Sequence, residues 1–216
     1  MFETFGFEET SPRLASLYFS LALGLGFGVL AQLTRFCFRR ALIGEDRRQA
    51  AGLWALALAV SVLGTQAAVT QGWISFEDHR LLASDLPLLA IAVGGVMFGV
   101  GMVLARGCSG RLLVLAATGN LRSVVSGLIF AVAAQMTLTG WLAPLRGWLA
   151  GLWITAGGRN MDLLASSGLP EGAGLVFGLA TALLALELSR RNQIGWRRLV
   201  FASGVGFAAA LGWALT

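Results

Sequence analysis

Residues 86–111 read LPLLAIAVGGVMFGVGMVLARGCSGR. No charged side chain occurs from Leu86 to Ala105, and about twenty helical residues cross the ~30 Å of hydrocarbon in a bilayer. The run then meets Arg106-Gly107-Cys108-Ser109-Gly110-Arg111, where two glycines bracket a cysteine. Glycine leaves helical geometry readily, so the spacing predicts a helix break at membrane depth. Irregular backbone is tolerated there only when it is buried in protein or lines a cavity. Beyond the break, Ser109 to Gly119 is apolar but only about half a span long. Leu112, Leu113, Leu115, Ala116 and Ala117 suit a short helix that dips back into the protein.

The rest of the chain agrees with a membrane setting. Of 216 residues, 56% are hydrophobic and only 12% charged, and the mean hydropathy is +0.76. A water-soluble domain carries about a quarter charged residues, and a disordered chain is poor in the apolar residues abundant here. Five further apolar stretches, Leu14–Thr34, Ala50–Thr70, Val124–Trp141, Gly172–Leu188 and Leu199–Leu215, bring the expected spans to six. The expected fold is therefore all-α: one transmembrane domain over residues 1–216. Within it, residues 1–13 form an outer tail, 14–140 a unit bearing both cysteine motifs, and 141–171 an outer interfacial segment. Residues 172–216 hold the last two spans, which would open a second repeat. Glu3, Glu8 and Glu9 stand where a cleaved signal peptide would be basic.

Charge orients the spans. Every basic residue is arginine. Arg35, Arg39, Arg40, Arg47, Arg48, Arg106, Arg111, Arg122, Arg190, Arg191, Arg197 and Arg198 fall on alternate connections, against Arg13, Arg80, Arg146 and Arg159 on the others. That asymmetry places the first set in the cytoplasm and both chain ends outside. The net charge of +5 reflects this orientation, and no nucleic-acid partner is expected. The outer segments fit: Glu77, Asp78 and Asp85 share one of them with His79, read as a solvated side chain. Trp141, Leu145, Trp148 and Leu152 recur at helical spacing, as in a helix lying in the interface. Glycine runs such as Gly24, Gly26 and Gly28, or Gly94, Gly95, Gly99 and Gly101, read as close helix packing. Weak internal echoes, Gly24-Leu25-Gly26-Phe27 with Gly204-Val205-Gly206-Phe207 among them, fit a transporter built from repeats.

Only two places put reactive groups at membrane depth, and each holds one of the two cysteines: Thr34-Arg35-Phe36-Cys37-Phe38-Arg39-Arg40 and the Cys108 segment. A broken helix carrying a thiol is a candidate substrate site. A helix starting at Ser109 would aim its free N–H groups at an anion near Cys108. The candidate residues are Cys108, Cys37, Arg106, Arg35, Gly107, Ser109 and Gly110. Against this stands the common fate of a free cysteine as a small buried hydrophobe, while Arg39, Arg40, Arg47 and Arg48 read as anchors at the headgroups. Gln32, Gln66 and Gln135 read as interhelical glue, and Glu187 with Arg191 as a helical i,i+4 pair. Two Cys and one His make no four-ligand zinc site. No metal, cofactor or catalytic residue is assigned. No acidic residue sits mid-span as a proton relay, and no phosphate-binding loop is present.

These cysteine segments resemble the signature of the YeeE/YedE family of membrane proteins. Arg35-Phe36-Cys37-Phe38, followed by Ala41 and Asp46, resembles the first family motif. Leu104-Ala105-Arg106-Gly107-Cys108-Ser109-Gly110, ending in Gly119-Asn120, resembles the second. The resemblance covers roughly Leu17 to Gly140. It implies a multi-pass protein of the bacterial inner membrane that takes up thiosulfate or a related sulfur-containing anion. In that family short helices dip into the membrane around an hourglass pore, and cysteines matched here by Cys37 and Cys108 pass the substrate along by S–H hydrogen bonds. Full members carry a second Gly-Cys repeat that is not found after Asn120. A truncated chain, a homo-oligomer and a pairing with a second half-subunit thus all stay open. The rivals are a membrane thiol oxidoreductase or sulfurtransferase with Cys108 as nucleophile, and a non-transporting subunit of a sulfur-handling complex. Close approach of Cys37 to Cys108 would favour the redox reading.

Overall fold

The structure, a computed structural model, describes residues 12–74, 87–154 and 172–215. The expectations for the tail before Pro12 and for the acidic segment with Glu77, Asp78, His79, Arg80 and Asp85 lie outside the described residues, as does Arg159. Every named element among the described residues is a helix: α1 Pro12–Thr34, α2 Phe38–Ile43, α3 Arg47–Thr70, α4 Leu88–Leu104, α5 Ser109–Ala117, α6 Leu121–Leu138, α7 Ala143–Gly151, α8 Ala173–Arg191 and α9 Trp196–Leu215. The protein is an all-α, multi-pass membrane protein. Five stretches are long and apolar enough to cross a bilayer: Ser16–Ile43, Arg47–Thr70, Leu88–Ala117, Leu121–Leu138 and Ala173–Arg191. The sixth expected span, Leu199–Leu215, lies within the single helix α9.

Boundaries differ where a cap overrides hydropathy. The fourth span begins at Leu121, three residues before the apolar run at Val124, because the Asn120 side chain accepts the Ser123 N–H at 3.1 Å. This satisfies one of the orphan donors of the first turn. It ends at Leu138, so Trp141 stands outside the helix, 92% exposed. The helix in the segment expected to lie in the interface starts only at Ala143, with Pro144 in its first turn. Leu145 and Trp148 lie exposed on it, and Leu152 and Trp153 just beyond its end.

The chain divides into two compact units. The first comprises residues 1–36, 46–74 and 172–216, and therefore α1, α3, α8 and α9. Helix α3 packs against α8 and α9, and α9 also packs against α1. Leu53, Leu56, Ala59, Ala185, Ile194 and Ala202 form its core. With no hydrophobic drive between helices in lipid, small residues that admit close approach hold such bundles together. A Cβ on Gly206 would collide with the Ala57 carbonyl oxygen, and one on Gly178 would lie 3.2 Å from the Leu63 Cα. By contrast, Gly24, Gly26, Gly28, Gly94, Gly95, Gly99 and Gly101 have open space where a side chain would begin. The close contacts thus fall on other glycines than the runs singled out from sequence.

The second unit comprises residues 37–45 and 75–171. In it α5 packs against α6, and α7 against α4 and α6. An isolated antiparallel bridge pairs Pro87 with Ile154, joining the start of α4 to the segment after α7. Both cysteines belong to this unit.

Candidate functional site

The site is built from one local device used twice. Helix α1 ends with Arg35 at φ +51°, and α4 ends with Arg106 at φ +57°. In each case the left-handed residue and its successor donate back into the last turn: Arg35 N–H to the Gln32 carbonyl and Phe36 N–H to that of Ala31, then Arg106 N–H to Val103 and Gly107 N–H to Met102. This is the Schellman arrangement, which normally uses glycine at the left-handed position. One residue further on, the chain reaches the N-cap of a short helix, itself in extended backbone. That residue is Cys37 for α2 (φ −163°, ψ 122°) and Cys108 for α5 (φ −76°, ψ 164°). The same turn recurs at Gln193, φ +53°, where Gly195 takes the cysteine's place before α9.

Two expectations change here. The break after α4 lies where it was expected, but its left-handed residue is Arg106 rather than Gly107. A Cβ on Gly107 would meet Leu112 at 3.5 Å, an ordinary contact, and Gly110 lies inside α5 with open space around it. The glycines therefore supply neither the reversal nor a required close approach. In addition, Phe38–Ile43, where no helix was expected, forms a second short helix.

Cys37 and Cys108, on different spans, come together. Their thiols interact side chain to side chain, and both are free. Each sulfur also lies against the main chain of the other segment: the Cys108 N–H reaches the Cys37 sulfur, and the Phe38 N–H reaches the Cys108 sulfur. From their own helices, Arg39 and Arg40 N–H groups approach Cys37, and the Arg111 N–H approaches Cys108. Neither thiol side chain forms a closed cap on its own helix. Thiols are weak donors and weak acceptors. The result is two helix N-termini converging on a thiol pair, with main-chain donors on each flank. Cys37 is buried and Cys108 half-buried.

Of the other candidates, Gly107 is buried, Ser109 and Gly110 are half-buried, and Arg35 and Arg106 are exposed. The residues that sequence reasoning did not place beside the thiols are Phe38, Arg39, Arg40 and Arg111, which approach them through their N–H groups. Arg39 adds a second feature: its Nε is buried with no hydrogen-bond partner. Buried donors without a partner are rare enough to call for an explanation. A shared signal was available, since both motifs read Arg-x-Cys at Arg35 to Cys37 and Arg106 to Cys108. Gln135 donates to Thr139 Oγ1 at 2.9 Å within its own helix rather than between helices. Glu187 pairs with Arg191 at 3.0 Å as expected. An open cavity of about 410 Å³, lined by Gln49, Gln193, Trp196, Arg197 and Arg198 among others, belongs to the first unit and includes none of the candidates. Among the described residues no group of three His, Cys, Asp or Glu gathers to hold a metal.

Comparison with known proteins gives a consistent family. The family described as Sulphur transport matches residues 33–214. The thiosulfate transporter TsuA of Escherichia coli (strain K12) is 33% identical over 132 residues, 58% of this chain and 33% of that protein. The thiosulfate transporter TsuA of Spirochaeta thermophila is 25% identical over 220 residues, 88% of this chain and 62% of that protein. The chain thus covers less than two thirds of either relative's length.

Proposed function

The chain belongs to the sulphur transport family, and from that premise we propose that it carries thiosulfate or a related sulfur-containing anion inward across the bacterial inner membrane, past Cys37 and Cys108. The observation that carries the reading is the convergence of two short-helix N-termini on a thiol pair. Helix N-termini favour negative charge through unsatisfied N–H groups and the helix dipole. The thiols offer weak S–H donors to a soft terminal sulfur. Weakness is an advantage, because a conducted ion must leave each site as readily as it enters. Arg39 Nε, buried and unpartnered, adds a charged donor that an anion would satisfy. Arg35 and Arg106, exposed beside the breaks, draw the anion in by their field rather than by contact.

Growth on thiosulfate as sole sulfur source, in cells without another uptake route, tests this. The intact chain is expected to support growth. Cys108→Ala is expected to lower uptake about fivefold, the consequence of losing one hydrogen bond worth ~1 kcal/mol at the limiting step. Equal uptake with and without the thiol at normal membrane expression would overturn the cysteine route. The approach of the two thiols also favours a redox enzyme as the second reading. Oxidation of a dithiol substrate through a Cys37–Cys108 disulfide, without anion uptake, would support that reading instead, and a persulfide on Cys108 during turnover would support a sulfurtransferase.

A further inference from the structure

The arrangement of Cys37 and Cys108 bears on more than passage of an anion. Their sulfurs interact directly, and each sulfur also meets a main-chain N–H of the other segment, Cys108 N–H at the Cys37 sulfur and Phe38 N–H at the Cys108 sulfur, so the two residues face each other. Both cysteines stand at N-cap positions in extended backbone, and each carbonyl accepts the first bond of its short helix, from Ala41 N–H at 3.3 Å and Leu112 N–H at 2.9 Å, which fixes where each thiol starts. Disulfide formation requires this kind of facing pair, with Cβ atoms about 3.5–4.5 Å apart. No third metal-ligating side chain joins them among the described residues, so the pair suits covalent chemistry better than metal binding.

We propose that Cys37 and Cys108 form a reversible disulfide within one chain, a peroxide-sensitive modification site that closes the anion's route while oxidised. The bond itself rests on the geometry, whereas its closing effect rests on the transport reading above. Cys108 is half-buried and Cys37 buried, so a small peroxide meets Cys108 first. The Cys108 sulfur attacks one peroxide oxygen and the O–O bond breaks. Cys108 becomes a sulfenic acid, and its thiol proton leaves with the departing hydroxide as water. The Cys37 sulfur then attacks the Cys108 sulfur. The S–O bond breaks, a second water leaves with the Cys37 proton, and the S–S bond forms. Two thiols have lost two electrons and the peroxide has gained them; an added dithiol reverses the change. The disulfide removes both S–H donors and ties the start of α2 to the start of α5.

The full chain, purified in detergent and fully reduced, is treated with hydrogen peroxide, blocked with a maleimide and weighed intact. Both cysteines are expected to lose maleimide reactivity while the chain stays monomeric on a non-reducing gel, and dithiothreitol is expected to restore both. Cys37→Ser is expected to leave Cys108 as a sulfenic acid trapped by dimedone. Two cysteines still reactive after peroxide, or cross-linked dimers in place of an internal bond, would overturn the proposal. In vesicles holding the same protein, thiosulfate uptake is expected to disappear with peroxide and return with dithiothreitol. Uptake unchanged by a confirmed disulfide would overturn the closing effect. A reduced chain that takes up nothing while still forming the bond would overturn the transport reading and the closure together, and leave the modification standing.

Discussion

Arginine at a left-handed position is the least expected residue-scale feature of the structure. A non-glycine residue there costs of order 1–3 kcal/mol, and Arg35 and Arg106 both accept that strain at the turn leading to a cysteine. The surroundings hold them there: two backward hydrogen bonds close each helix, and the following residue, Phe36 or Gly107, packs inward. Arg106→Gly separates backbone from side chain. It is expected to raise stability in detergent by about 1 kcal/mol, since glycine adopts this φ without a Cβ penalty, and to slow uptake by removing a positive charge near the route. Thermal unfolding and uptake, measured on the same preparation, check both effects. Unchanged uptake would show that the arginine serves the turn alone. The thiols as candidate groups were legible in sequence because reactive side chains are scarce in so apolar a chain. The N–H groups of Phe38, Arg39, Arg40 and Arg111 were not, because a main-chain donor has no residue type to betray it.

Helices of two kinds share the chain. Long ones were visible from hydropathy, since summing transfer free energy along about twenty residues is a local operation. The short α5 is expected from the half-length apolar stretch Ser109 to Gly119. The shorter α2 was hidden because six residues, two of them Arg39 and Arg40, carry too little periodic signal. Packing between long helices was legible only as a tendency. Gly206 lies so close to the Ala57 carbonyl that no Cβ fits, whereas the glycines of α1 and α4 singled out from their runs face open space. Gly206→Ala is therefore expected to destabilise the first unit by about 1–3 kcal/mol through overpacking. Gly95→Ala is expected to change stability by less than about 0.5 kcal/mol, as substitutions away from tight contacts do. Denaturation of both variants in one detergent checks the contrast; equal losses would remove the assignment of α3 and α9 as the tight pair.

At the scale of the whole molecule, twelve arginines on alternate connections against four on the others predict sidedness. A tag placed at Asn192, between α8 and α9, is expected to be reached only from the cytoplasm. One placed near Gly147 on α7 is expected to be reached only from the opposite side. Labelling of intact cells with an impermeant reagent checks this, and the reverse pattern would turn the direction of the path around. The sequence by itself determined that this is an all-helical membrane protein and which family its two Arg-x-Cys motifs resemble, and it predicts how the spans alternate and which residues carry unusual chemistry. Each of those follows from additive local quantities: hydropathy per residue, charge per connection, and identity within a motif. Only the tertiary structure decided that Cys37 and Cys108 meet, that α2 exists, that arginine rather than glycine turns the chain, and which glycines touch another helix. Those depend on contacts between residues distant in sequence. Such contacts are fixed when close packing selects one arrangement among many compatible with the same local pattern.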